Sequence, residues 1–230
     1  MPPPSPDVSS HGARGFARAL VGFGPLSVLS LLVIVLGQGL FPGLGGLLVL
    51  LWARASQTPL RVLGFVRPRS WAATLIGGIA LGAAFKLVMK ALVMPLLGTD
   101  PVNHAYHYLA GNRDAIPGFV FTLVIGAGFS EETTFRGYLF ERLGRLLGTS
   151  IAAKVAIVIL TSVLFGAAHY TSQGLAGAEQ ATFTGAVFGT IFATTRRLPL
   201  LMVMHAAFDL TAYGIIYWDV ETRVAHWIFR

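Results

Sequence analysis

The stretch FVFTLVIGAGFSEETTFRGYLF, residues 119–140, is long enough to cross a bilayer, which takes about 20 predominantly apolar residues. It nevertheless carries Glu131, Glu132 and Arg136 near its middle. Ionisable groups are costly inside a membrane segment, so each one calls for a functional reason. The rest of the chain is of the same kind. Of its 230 residues, 54% are hydrophobic and 12% charged, against roughly 25% charged in a soluble domain. Mean hydropathy is +0.69. Disordered, collagen-like and coiled-coil classes are excluded, and there is no fixed-period repeat or β-barrel alternation. The expected fold is an all-α polytopic transmembrane bundle of about seven helices, six to eight, around an intramembrane polar cavity.

Residues 1–15 (MPPPSPDVSSHGARG) are rich in Pro, Ser and Gly and read as a flexible N-terminal tail. Residues 16–230 read as a single transmembrane helical domain with a motif-bearing core at about 119–212. Between Ala19 and Ala53 no charge occurs, and GQGLFPGLGG at 37–46 breaks the run into two passes or one pass plus a short re-entrant helix, of which charge placement favours two passes. Further apolar segments cover 71–97, 119–140, 151–170, 182–195 and 198–218, with loops at 98–118 and 170–181. Arg14 and Arg18, then Arg54, Arg61, Arg67 and Arg69, then Arg142, Arg145 and Lys154, then Arg196 and Arg197 fall on one side if there are seven crossings with the N-terminus inside. The net charge of +7 is therefore a topological signal, and no nucleic acid is expected as a partner. Arginine-rich usage favours a bacterial inner membrane.

With no cysteine in the chain, thiolate nucleophiles, disulfides and Cys-based zinc sites are all excluded. The remaining chemistry lies in three clusters. Glu132 and Arg136 stand four apart with the acid first, the favourable order for an ion pair, while Glu131 projects about 100° away. Phe165 and His169 share a helix face, as do His205 and Asp209. Such a set suits hydrolysis: a carboxylate and an imidazole can activate water, and a second imidazole with a side-chain partner can hold the oxyanion. The same Glu131, His169, His205 and Asp209 are also a plausible zinc ligand set. Spacing alone leaves both open, and no HExxH occurs.

EETTFRGYLF, followed by FGAAH at 165–169 and HAAFD at 205–209, resembles the three motifs of the CAAX-processing and bacteriocin-protection (CPBP) family, also called the ABI or type II CAAX prenyl endopeptidase family. Its pattern is Glu-Glu-x-x-x-Arg, Phe-x-x-x-His, then His-x-x-x-Asn or Asp. The N-terminal half is similar only in being hydrophobic. The resemblance implies an intramembrane endopeptidase that hydrolyses a peptide bond with a Glu/His-activated water. In it Glu131 and His169 activate the water, His205 and Asp209 bind the developing negative charge, and Glu132, Arg136 and Phe165 support the site. Prenyl-processing members end the third motif in Asn, which donates directly, whereas Asp209 must be protonated to donate. No cofactor is required on this reading, with zinc as the alternative. The implied partners are the lipid bilayer and a peptide or protein substrate, prenylated or membrane-embedded peptides being candidates.

Blander readings stand beside these. Glu132 and Arg136 suit a structural ion pair, Phe165 a packing residue that shapes the cavity, and His104 and His107 a solvated loop. Lys86 and Lys90 read as snorkelling side chains, and Gly77, Gly78, Gly82, Gly185 and Gly189 as packing faces. A non-catalytic peptide-binding or bacteriocin-immunity factor would use the same pocket, and a proton-coupled transporter would show inverted repeats, which are not seen. Depth raises a difficulty: Glu131 and His205 lie about 14 Å and about 12 Å inside their helices, but His169 falls near the outer end of its segment. Convergence requires that helix to continue past Tyr170, or its partners to tilt or kink.

Overall fold

A backbone in lipid must satisfy its own N–H and C=O groups, so the uncharged runs have little choice but to be helical. A computed structural model of the chain describes residues 8–229, and among these it is helical with no strand. Eight helices follow in order. These are α1 (Val8–Val21), α2 (Pro25–Leu40), α3 (Leu44–Ala55), α4 (Trp71–Leu96), α5 (residues 116–147), α6 (Ile151–Thr195), α7 (Leu198–Tyr217) and α8 (Glu221–Ala225). Starts are chemically marked: prolines open α2, α5 and α7, and the hydroxyls of Ser70 and Ser150 accept from the N–H groups of Ala73 and Ala153 at the starts of α4 and α6. Of the expected tail, residues 1–7 lie outside the described residues, and Val8–Val21 forms α1.

The eight helices fall within the expected six to eight, but fewer of them qualify as spans than the seven crossings expected. By length and apolarity, three helices qualify as spans among the described residues: Trp71–Leu96, Ile151–Thr195 and Leu198–Tyr217. The number is four if Arg14–Val21 and Pro25–Leu40, bent by 64°, form one broken span. Leu44–Ala55 is too short, and α5 carries its charges inside the apolar run. The expected loop at 170–181 is also corrected: α6 is one helical stretch of 45 residues whose backbone leaves helical geometry at Gly174, with φ +65°. No proline interrupts it. Straight, it would be about 68 Å long, more than twice the hydrocarbon thickness. It folds back instead. A Cβ on Gly185 would sit 2.9 Å from Ser162 Cα, one on Gly166 would sit 2.8 Å from the Ala178 carbonyl, and one on Gly189 would sit 3.3 Å from Val158. The arms 151–173 and 175–195 thus form an antiparallel hairpin, a conformation glycine adopts at its tip without a Cβ penalty.

Small residues also set the other close approaches. The most extensive helix contact joins α4 to α7, where Gly78 faces Val203 and Gly82 faces the Met204 backbone and Ala207. On α3, Gly46 lies against Phe129 and Ser130 of α5. These contacts fit the small-residue interfaces of membrane helices, where packing replaces the hydrophobic drive. Buried Met89, Phe140, Phe188, Phe192, Leu201 and Phe208 fill the space between α4, α5, α6 and α7. The outside is apolar: Leu36 on α2, Ile76 on α4 and Ile159 on α6 are all exposed, as a lipid-facing surface requires.

Two charges expected to mark loops or interfaces are structural. Arg142, inside α5, donates to the Val21 and Gly22 carbonyls at the C-terminal end of α1 and to Ser27 Oγ at 2.8 Å. Lys90 does not snorkel; it pairs with Glu221 at 3.2 Å and donates to the Pro101 carbonyl. Glu221 also accepts from the Asn103 N–H at 2.9 Å, so α8 pins the loop after α4 over the helix ends.

The α4–α7 contact yields a stability test. Gly82→Val overpacks a site backed by backbone and is expected to lower stability by about 1–3 kcal/mol. Gly77→Ala, with open space beside it, is expected to be neutral. Denaturant titration of the detergent-solubilised protein measures both.

Candidate active site

The first motif lies on a wide π-helical stretch of α5, Thr122–Leu139, flanked by α-helical turns. Such i→i+5 backbone is rare and concentrates at functional sites. It turns the neighbouring acids to different surroundings. Glu132 is sealed: its Oε1 accepts from Arg136 at 2.8 Å and pairs with His205 Nδ1 at 2.7 Å, with side-chain exposures of 0% for Glu132 and 2% for Arg136. Arg136 also reaches the Gly185 carbonyl at 3.4 Å and lies over the rings of Phe165 and Phe188. The expected ion pair is present, and it serves at the same time as the clamp that orients His205.

Glu131 opens the other way. Its Oε2 lies 3.8 Å from His205 Nε2, and Asp209 Oδ2 lies 3.5 Å from the same nitrogen. At 20% and 23% exposure, Glu131 and Asp209 reach a space that the 4% exposed ring of His205 closes from behind. Glu131 Oε2 is itself buried and makes no hydrogen bond with another protein group among the described residues, while the side chain as a whole lines the cavity.

His169 approaches from the α6 hairpin. Its Nδ1 donates to the Phe165 carbonyl at 2.8 Å, which leaves Nε2 of the neutral ring as an acceptor. The Phe165 ring lies between the two imidazoles, 4.6 Å from the centroid of His169 and 5.9 Å from that of His205. Phe165 is fully buried and packs the site, in agreement with its blander reading. The arm bearing His169 runs on to residue 173, which answers the depth difficulty in the first of the two ways stated above.

Glu131, His169, His205 and Asp209 line one cavity of about 270 Å³, far more than the roughly 10–15 Å³ one water needs. No ion pair within 4 Å joins His169 to a carboxylate among the described residues. As for the zinc alternative, no three His, Asp or Glu side chains among the described residues are gathered to hold one metal ion. His205 commits Nδ1 to Glu132, and His169 commits Nδ1 to backbone.

Several polar residues at the cavity were not singled out from sequence. Gln38, in the glycine-rich break, accepts at Oε1 from Ser130 Oγ at 2.7 Å and from Thr134 Oγ1 at 3.2 Å, while Ser130 Oγ accepts from the Gly46 N–H at 2.7 Å. This network ties α2 and α3 to the motif helix. The one available signal was a lone amide in an uncharged run. Tyr106, from the loop after α4, roofs the cavity; burial, and then the charge of Asp209, raises its phenol above the ordinary value, so it stays an O–H donor. Lys86 also lines the cavity, buried rather than snorkelling. His104 stands exposed beside Asp100 in the loop, as expected, and His107 faces Glu221 at 3.4 Å.

No curated protein and no solved structure matches the chain. Residues 113–211, which include all three motifs, match the family model for type II CAAX prenyl endopeptidase Rce1-like proteins. The chain is a multi-pass helical membrane protein whose cavity-building segment matches that family, the one its motifs resemble.

Proposed function

We propose that the protein is an intramembrane endopeptidase in which Glu131 is the general base for a water shared with His169. The observation that carries this reading is the convergence of Glu131, His169, His205 and Asp209 on one cavity inside a lipid-facing bundle. The Glu131 carboxylate takes a proton from water as the water oxygen attacks the carbonyl carbon of a peptide bond, and the acceptor Nε2 of His169 orients that water. His205, as an imidazolium, donates Nδ1–H to Glu132 and presents Nε2–H to the oxyanion, and Asp209 beside it completes that side of the pocket. Collapse of the tetrahedral species returns the proton to the leaving amine, so one water and one amide become an acid and an amine. The surrounding protein excludes bulk water, which strengthens each of these interactions. The substrate class follows the family description, a lipidated or membrane-embedded peptide, and the location is a bacterial inner membrane.

The test is cleavage of a library of lipidated and unmodified peptides by the protein in liposomes, read by mass spectrometry. Wild type is expected to release a defined fragment. Glu131→Gln is expected to lose about 10²–10⁴-fold in kcat/KM, the usual worth of a positioned base. Asp209→Asn should stay within about tenfold, the scale of one ordinary hydrogen bond, because an amide also donates. Equal rates for wild type and Glu131→Gln overturn the base assignment, and peptides that bind but are never cut favour the immunity-factor reading.

Arg136→Met separates support from chemistry. It leaves Glu132 buried and poorly paired and is expected to cost about 3–5 kcal/mol of stability. Glu131→Gln removes no hydrogen bond to another protein group and should change stability little. Unfolding titrations of the two variants check the contrast.

A further inference from the structure

Ser130 and Thr134 stand four apart on α5, on either side of the two glutamates, and both are fully buried. A buried hydroxyl hydrogen needs an acceptor. Among the described residues each of these two has a single one, Oε1 of Gln38 in the last turn of α2, at 2.7 Å from Ser130 Oγ and 3.2 Å from Thr134 Oγ1. Ser130 Oγ in turn accepts from the Gly46 N–H. Turning the amide over would set its NH₂ group against both hydroxyls and strand their hydrogens, so the network fixes which end of Gln38 is oxygen. The fit is close, because a Cβ on Gly45 of α3 would collide with that oxygen. The other end is the amide nitrogen. Nε2 carries two donors and makes no hydrogen bond with another protein group among the described residues.

Gln38 lines the cavity that also holds Glu131, His169, His205 and Asp209, and residues 39–42 after it line the same space. The spare donors are therefore available to whatever enters. Two acids in that space disfavour an anion, so a neutral acceptor is the fitting partner for a neutral amide. A peptide offers one such acceptor in every residue. Once it leaves water for a cavity inside the bundle, each of its carbonyls costs free energy unless a donor meets it. His205, on α7, serves the carbonyl that is attacked; Gln38, on α2, stands apart from it and is held next to the helix turn that bears Glu131. We propose that Gln38 binds a main-chain carbonyl of the peptide substrate beside the scissile bond, laying the chain against the break between α2 and α3. The proposal rests on the hydrolase reading above and names how that site holds its peptide. Gln38 lies outside residues 113–211, so this contact belongs to the part of the chain that the family model does not reach.

The experiment takes a peptide that wild type cuts and replaces its carbonyl oxygens by sulfur, a weaker acceptor, one bond at a time on either side of the cut. Each thioamide is offered in liposomes to wild type, Gln38→Glu and Gln38→Met. Gln38→Glu keeps an oxygen for Ser130 and Thr134 while losing the amide donors, and Gln38→Met removes the donors at any pH. Denaturant titration checks that each variant folds. At one flanking position wild type is expected to lose about three- to tenfold in kcat/KM, the scale of one neutral hydrogen bond, mainly through KM. In the variants that replacement should cost nothing further, and the unmodified peptide should show the raised KM. A wild type indifferent to every replacement overturns the proposal. So does a sensitive position that stays equally sensitive in a folded variant. If wild type cuts no peptide, the hydrolase reading fails, and fluorescence anisotropy with a labelled peptide carrying each thioamide in turn decides for Gln38. Binding weakened by one thioamide in wild type but not in Gln38→Glu supports it; equal weakening, no weakening, or no binding by wild type overturns it.

Discussion

One carboxylate oxygen, Oε1 of Glu132, holds Arg136 at 2.8 Å and the His205 ring at 2.7 Å, and the remainder of the site is arranged around that junction. It joins α5 to α7 directly. Through the guanidinium, it also joins both to the α6 hairpin, because Arg136 lies over Phe165 and Phe188 and reaches the Gly185 carbonyl. In a low-dielectric interior a buried pair is worth having only when its geometry is good and its spare donors are used. Here the guanidinium bonds Glu132 and the Gly185 carbonyl, while Glu132 Oε2 has no hydrogen-bond partner among the described residues. The pair therefore acts as a locating device: it fixes the register of three helices whose apolar faces alone would allow sliding against one another.

The hairpin depends on that register. Its two arms approach closely because glycines alternate along the contact, Gly166 on one arm facing 178–182, and Gly185 and Gly189 on the other facing Ser162 and Val158. The same closeness places Phe165 where it can touch His169 on its own arm and His205 across the bundle. A bulkier contact anywhere along the hairpin would move the ring that spaces the two imidazoles. Packing and chemistry share residues here, so the blander and the functional readings of Phe165 describe one arrangement from two sides.

What could be read from the sequence divides along chain separation. The all-helical fold, the Glu132–Arg136 pair and the shared face of His205 and Asp209 were legible because each is a local matter of hydropathy or of four-residue spacing. The side-chain partners of Gln38, Lys86 and Lys90 are 92 to 131 residues away, and no periodicity encodes such a contact. Lys86 and Lys90 looked alike as lone cations in an apolar run, yet one is satisfied by Glu221 and the other by an uncharged amide. The loop at 170–181 was misread for a related reason. Polar and small residues there weaken the hydropathy signal, yet helical geometry runs up to Gly174 and resumes directly after it, the chain reversing at that one residue.

The two adjacent glutamates show why sequence motif and site are different objects. A run of Glu131-Glu132 places two like charges on neighbouring residues, an arrangement that low dielectric would penalise if both faced the same surroundings. The wide turn of α5 separates them: Glu132 faces inward to the Arg136 guanidinium and the His205 ring, and Glu131 lines the cavity. Neutralising the first is what makes the second tolerable so near to it. Because Glu132 also bonds His205, the sealed acid sets both the position of the imidazole and the electrostatic surroundings of the acid next to it. A motif reading assigns each residue a role. The geometry adds that the two roles are coupled through a single ring, His205, whose nitrogens face Glu132 on one edge and Glu131 with Asp209 on the other.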